Sequence, residues 1–225
     1  MRKSTLSDAF QRFDPQTLAP LMEHVMEQVP HLRQVEAGQL EQVCQRILAA
    51  AGTMWNIPAA VFWDLHHHSH GKNRGPVRIN RHLDIRCITP SDLSVSGKAQ
   101  GSDAAAFIKK LHGGVINLVD RNFVHIGLIN AVLERSSAVV VRLRDSDGFA
   151  EQEHGPLSDG DVGAWVLSDS MGGLPCSRHK QGAIRTTAPP DRPLRLVVCR
   201  DPETGQSIRI LSSLLDLPAY VIAEL

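Results

Sequence analysis

The chain has 225 residues, 24 basic side chains against 24 acidic ones, and 42% hydrophobic residues. That length fits one domain, or one domain with an insertion, and the apolar content is enough for a sizeable core. Zero net charge excludes a global pull toward nucleic acid or an acidic membrane, so a polyanion site must be a local patch. The cysteines Cys44, Cys87, Cys176 and Cys199 form no CxxC pair and fit no zinc spacing, so they read as reduced thiols. No apolar run approaches the roughly 18 residues of a membrane span. The start, MRKSTLSDAFQRF, lacks the apolar stretch of a secretory signal, and the cytoplasm is the expected compartment.

A short helix capped near Ser4 is expected first. A clearer one follows Asp14-Pro15, with Leu18, Leu21, Met22, Val25, Met26 and Val29 at helical spacing and Pro30 as its stop. Residues 40–51 end in ILAAA, and propensity alone favours helix there. Residues 66–86, HHHSHGKNRGPVRINRHLDIR, hold five Lys/Arg against one Asp. The first half reads as loop. Val77, Ile79, Leu83 and Ile85 predict a strand that turns into a second strand over 87–95. Gly97 to Gly101 is a turn, and Ser102 caps a helix that Gly113-Gly114 stops.

Next come a strand over 115–119, a helix over 124–135 and a β-branched strand over 138–143. Strand, helix and strand at this spacing make a βαβ unit, so part of the sheet is parallel. Residues 145–161 carry six acidic side chains and no Lys or Arg, and read as an exposed face. Strand-like pieces near 164–167, 194–200 and 207–211 predict a β-rich insertion, punctuated by Gly172-Gly173 and Pro189-Pro190. The last segment, 216–225, begins DLPA and opens a helix.

Asp120 closes the strand of the βαβ unit and is followed at once by Arg121. In an open α/β sheet, sites form outside the carboxyl ends of the strands. A carboxylate there is rigid at its root and exposed at its tip, which suits a metal ligand. The competing reading is an Asp that caps the following turn. Spacing leaves both open.

The stretch VINLVDRNFVHIGLINAVLERSSAVVVRLRD resembles the second-Asp block of insertion-sequence transposases of the DDE type, in the family named for insertion element four. That block is an apolar strand, D-R-[GN]-[FY], a helix, and a strand ending R-[LV]-[RK]. Three further segments resemble the family in order. STLSDAFQRFDPQTLAPLMEHV is similar to its helical lead-in, GPLSDGDVGAWVLSD to its ERPLSDAD segment, and LRLVVCRDPETGQSIRILSSLLDLPAYVIAEL to the block carrying D-P-x-T-G and L-D-L-P-A. The resemblance covers nearly the whole chain. It implies an α/β fold with an RNase H-like mixed sheet flanked by helices and a β-rich insertion before the last helix. The implied organisation is a helical lead-in over 1–39, a catalytic core over 40–146, the insertion over 147–215 and a truncated closing helix from 216.

The family's chemistry is metal-dependent DNA strand cleavage and transfer. Two Mg²⁺ (or Mn²⁺) ions, held by two Asp and one Glu, activate the attacking hydroxyl and stabilise the leaving oxygen. Asp120 matches the second Asp. Where the family reads V-D-G-[ST], this chain reads Ala50-Ala51-Gly52-Thr53, so the first Asp is replaced by Ala51. The same alignment makes 47–51 a strand, against its helix propensity. The Glu-bearing block Y-R-x-R-W-x-I-E lies beyond Leu225, and Glu224 is too early to match it. The expectation is therefore a truncated, catalytically defective transposase with little strand transfer. The alternative is a non-catalytic DNA-binding or oligomerising remnant that forms a homodimer or associates with an intact transposase. Asp64 and Asp84 are the nearest carboxylates that could substitute for the missing one.

Lys72, Arg74, Arg78 and Arg121 are candidate contacts to the DNA backbone, as is a second basic stretch at Arg178, Lys180, Arg185, Arg192, Arg195 and Arg200. Solvated surface charge is the other reading of both. His66, His67, His68 and His70 read either as a metal site or as a solvated loop.

Overall fold

The computed structural model describes residues 47–58, 74–85, 89–97, 107–175 and 188–225, together with helical positions 20, 21 and 24. The chain divides into two compact units: Met1–Ala37 with Leu48–Lys110, and Gly38–Ile47 with Leu111–Leu225. The cap at Asp14, the His66–His70 cluster and the cap at Ser102 lie outside the described residues.

The first unit contains an antiparallel meander of β1 (Ile47–Pro58), β2 (Arg74–Asp84) and β3 (Thr89–Gly97). β1 pairs with β2 in unbroken register from Leu48 opposite Asp84 to Pro58 opposite Arg74. Helix propensity over ILAAAG thus loses to cross-strand pairing, and the strand runs well past the expected 47–51. A register shift between His82 and Leu83 interrupts the β2–β3 ladder. His82 beside that irregularity is buried, with its ring edge-on to Phe107 at 4.7 Å.

In the second unit, β4 (Ile116–Val119) and β5 (Ala138–Leu143) are parallel, joined through a 3-10 turn (Arg121–Phe123) and α1 (Ile126–Glu134). This is the βαβ unit that the apolar spacing predicts. α1 starts later than expected because His125 caps it, its Nδ1 accepting the Gly127 N–H at 3.1 Å. β9 (Ser207–Ser212) pairs antiparallel with β5, β8 (Leu194–Arg200) with β9, and β7 (Val166–Gly173) with β8. β6 (Ala150–His154) pairs with β7. The β-rich segment therefore extends the same mixed sheet. α2 (Asp159–Gly163) lies between β6 and β7, and α3 (Ala219–Glu224) follows β9. The expected fold class is observed: α/β, with a mixed sheet, flanking helices and a β-rich segment before the last helix.

Alternation places the core of this unit on both faces. Val140, Val197, Cys199 and Ile210 pack with Ala219 and Ile222 of α3. The intervening positions Val139, Val141 and Leu211 point the other way and are equally buried. Gly172-Gly173, expected as a break, instead lies at the end of β7. A Cβ at Gly172 would sit 2.1 Å from the Ala150 carbonyl oxygen, so only glycine lets β6 approach here.

Candidate functional site

Asp120 follows the last residue of β4, at the carboxyl end of the parallel pair. It is exposed, and its Oδ1 accepts the Arg121 N–H at 2.7 Å. The Phe123 N–H bonds its carbonyl at 2.8 Å, which closes the 3-10 turn. Both readings of Asp120 thus meet in one residue: it stands at a strand tip, and it caps the following turn. Arg121, in that turn, is exposed beside it.

The direction of the strands places other groups at the same end. β8 runs parallel to β5, because each is antiparallel to β9. The carboxyl ends of β4, β5 and β8 therefore share one end of the sheet. It carries exposed Arg121, Arg142, Arg144 and Arg200. It also carries Asp120, Asp145, Asp147, Asp201 and Glu203, so charge there is mixed. Arg142 and Arg144 are the arginines of the R-[LV]-[RK] strand ending, and their alternation about buried Leu143 puts both on the exposed side. Arg142 is close enough to Cys199 and Asp201 to act on both. Burial pushes the Cys199 thiol up, Arg142 opposes the rise and Asp201 adds to it.

The D-P-E-T-G segment between β8 and β9 is a self-bonded turn. Asp201 accepts the Glu203 N–H at 2.9 Å and the Thr204 hydroxyl at 2.7 Å. Those bonds, led by the Thr204 hydroxyl, hold its carboxyl below the ordinary value of 3.8. Gly205 closes the turn at φ +70°, donating to the Asp201 carbonyl at 2.8 Å. This motif is turn chemistry.

In the first unit, Ala51 lies within β1 opposite Arg81. Asp84 stands opposite Leu48, three residues away along the strand, which is about 10 Å. It is thus not the cross-strand neighbour of Ala51. Arg74 and Arg78 are positions of β2. Lys72, Asp64, Arg178, Lys180 and Arg185 lie outside the described residues.

Arg195 corrects the reading of the second basic stretch. It is buried on β8 and paired with Asp169 of β7, so it is not a surface cation facing DNA. Asp161 similarly departs from the exposed acidic run. It is buried, accepting from the Ser158 N–H at 2.8 Å, the Ser158 hydroxyl at 2.6 Å and the Tyr220 N–H at 2.8 Å. Burial alone would raise its pKa, but the Ser158 and Tyr220 bonds and the Arg195 charge bring it below 3.8.

A cavity of about 710 Å³ opens at the opposite end of this sheet, where Ile116 and Ala138 begin β4 and β5 and Ser213 follows β9. Its lining mixes apolar side chains with Ser136, Ser137, Ser213, Arg192 and Asp216, and does not include Asp120. Among the described residues, no cluster of three or more His, Cys, Asp or Glu could hold a metal ion. Asp120 offers one carboxylate, one oxygen of which already accepts an N–H. That donor set does not fit the two ions of strand transfer, which need several hard oxygens.

The fold and site define an α/β protein with a carboxylate at the carboxyl end of a parallel βαβ unit. No protein-family model and no curated protein matches the chain. Among solved structures it is similar to a piggyBac transposase in a cryo-EM synaptic complex with hairpin DNA, at 13% identity and a TM-score of 0.43, over 76% of this chain and 34% of that one. It is also similar to Endonuclease V from Bacillus subtilis, at 12% identity and a TM-score of 0.35, over 95% and 83% of the two chains. The chain thus spans about a third of the piggyBac chain. Among the described residues, no helix is long and apolar enough to cross a membrane.

Proposed function

We propose that this chain is a DDE-type transposase of the insertion-sequence-four kind, defective in strand cleavage and transfer. The observation that carries the reading is Asp120 at the carboxyl end of β4, inside a parallel βαβ unit, where the resembling D-R-N-F motif requires it. The other resembling segments support it. PLSD forms the start of α2, DPETG a hairpin turn, and LDLPA the entry to α3.

The proposed defect rests on Ala51, since a methyl group cannot ligand a cation. The register of Asp84, opposite Leu48 and so offset from Ala51 along the strand, supports the absence of a substitute there. What remains for the chain to do is bind DNA, with Arg121, Arg74, Arg78 and Lys72 as backbone contacts that position without reading sequence. A second reading is a remnant that binds DNA or associates with an intact transposase as an inhibitor, and the capping role of Asp120 favours it. A gel shift on linear duplex DNA tests the shared premise. Binding should weaken as salt rises and weaken uniformly across sequences when Arg74 and Arg78 become Ala. A chain that binds no duplex at low salt is not a DNA-binding protein of either kind.

A further inference from the structure

Three large apolar side chains stand in solvent within residues 162–167: Val162 of α2 is 64% exposed, Trp165 52% and Leu167 44%. Two backbone irregularities accompany them. Trp165 follows the C-cap of α2 and holds φ +62°. Glycine ordinarily takes that left-handed position, and a bulky side chain there is an outlier. Two hydrogen bonds fix it: the Trp165 N–H donates to the Val162 carbonyl at 3.1 Å, and its carbonyl accepts the Arg200 N–H at 2.9 Å. The β7–β8 register then shifts between Val166 and Ser168, at Leu167, and an irregularity of this kind re-aims a side chain. The neighbours Ala164 and Val166 pack into the core, whereas Trp165 and Leu167 are turned outward. The rim is acidic. Asp159 lies one turn before Val162 on α2, and Asp201 and Glu203 follow the Arg200 that bonds the Trp165 backbone. Residues 145–161 contribute no Lys or Arg to set against these carboxylates.

We propose that Val162, Trp165 and Leu167 form a docking site for a protein segment in which apolar side chains alternate with Lys or Arg. Clustered exposed apolar groups with a polar rim mark interaction surfaces, and tryptophan is the side chain that most often anchors them. The partner's apolar residues cover Val162 and Leu167. Its cations meet Asp159, Asp201 and Glu203, and one lies against the Trp165 ring, where an ammonium or guanidinium is attracted by the π face. Three side chains make a small patch, so the contact is transient. The site does not rest on the transposase reading.

Fluorescence anisotropy of a labelled amphipathic peptide of Leu and Lys, titrated with the full chain, tests it. The unaltered chain should bind this peptide, less tightly as salt rises, and should not bind its Leu–Glu counterpart. Trp165→Gly should weaken binding roughly tenfold or more. The thermal midpoint of that variant should equal or exceed that of the unaltered chain, because glycine relieves the left-handed strain. Asp159→Asn should also weaken binding and flatten its salt dependence. No binding of the Leu–Lys peptide, equal binding of the Leu–Glu peptide, or undiminished binding in Trp165→Gly would overturn the proposal. So would a clearly lowered midpoint in Trp165→Gly, since Trp165 would then be a packing residue. A dimer in sedimentation that Trp165→Gly dissolves, or binding of oligothymidylate that it abolishes, would overturn it too, by assigning the patch to a second copy or to an unpaired base.

Discussion

Arg195 and Asp169 bind each other through two parallel hydrogen bonds, Nε to Oδ1 at 2.7 Å and Nη2 to Oδ2 at 2.6 Å, with both side chains buried between β7 and β8. The fork-on-fork geometry satisfies the carboxylate and leaves Nη1 to serve main-chain carbonyls. Removing one partner strands the other charge out of water. Asp169→Ala should cost about 3–5 kcal/mol, and the double replacement Arg195→Met with Asp169→Leu should recover more than half of that loss. Urea midpoints of the variants measure it. A loss under about 1 kcal/mol in Asp169→Ala would mean that the pair is effectively solvated.

Acid should weaken the protein through Asp161 and Asp201. Both carboxyls titrate below their ordinary value when folded. Each therefore contributes stability that is complete above the unfolded value near 3.8 and is lost as pH falls through the folded value. Thermal unfolding followed from pH 6 to about pH 2 should drop steeply below about pH 4. The drop should be shallower in Asp161→Asn, whose side chain has no proton to gain. Parallel profiles for the two proteins would remove Asp161 from the account.

Two glycines make opposite predictions. At Gly205 a Cβ meets nothing within 4 Å, so Gly205→Ala pays only for φ +70°, about 1 kcal/mol. At Gly172 the Cβ would strike the backbone of Ala150. Gly172→Ala should therefore push β6 off β7 and cost about 1–3 kcal/mol, with faster amide exchange over 150–154. Equal costs at the two sites, or undisturbed exchange in β6, would refute this contrast.

Much of this fold is legible in the sequence, and the illegible parts have physical causes. The βαβ unit shows because β4, α1 and β5 are buried enough to impose apolar spacing. β6 does not show, since all five residues of AEQEH are exposed and the strand is held by backbone pairing at the sheet edge. α2 is hidden for another reason. DGDVG has poor helix propensity and depends on the Ser158–Asp161 capping box and on the reach of Asp161 to Tyr220. Arg195 misleads because a basic residue suggests surface. The available signal was its place inside the apolar run LRLVVC, where a lone charge needs a buried partner. The site is only half legible. Asp120 stands at the strand end that the apolar run before it predicts, while its capping bond with Arg121 is one of two readings that spacing leaves open.

A gain-of-ligand variant tests the proposed defect at Ala51. Ala51→Asp restores the residue that the resembling motif carries. If the defect lies there, Mn²⁺ should raise the thermal midpoint of Ala51→Asp while leaving the unaltered chain unmoved. An unmoved midpoint in Ala51→Asp would remove Ala51 from the account.

The most direct test of the central claim is nicking of supercoiled plasmid DNA by the unaltered chain in Mg²⁺ or Mn²⁺, with Asp120→Ala alongside and a parallel gel shift. Binding without metal-dependent nicking is expected, with no difference between the two proteins in the nicking lanes. Nicking by the unaltered chain that disappears in Asp120→Ala would contradict it, because some other side chain would then complete a working site around Asp120.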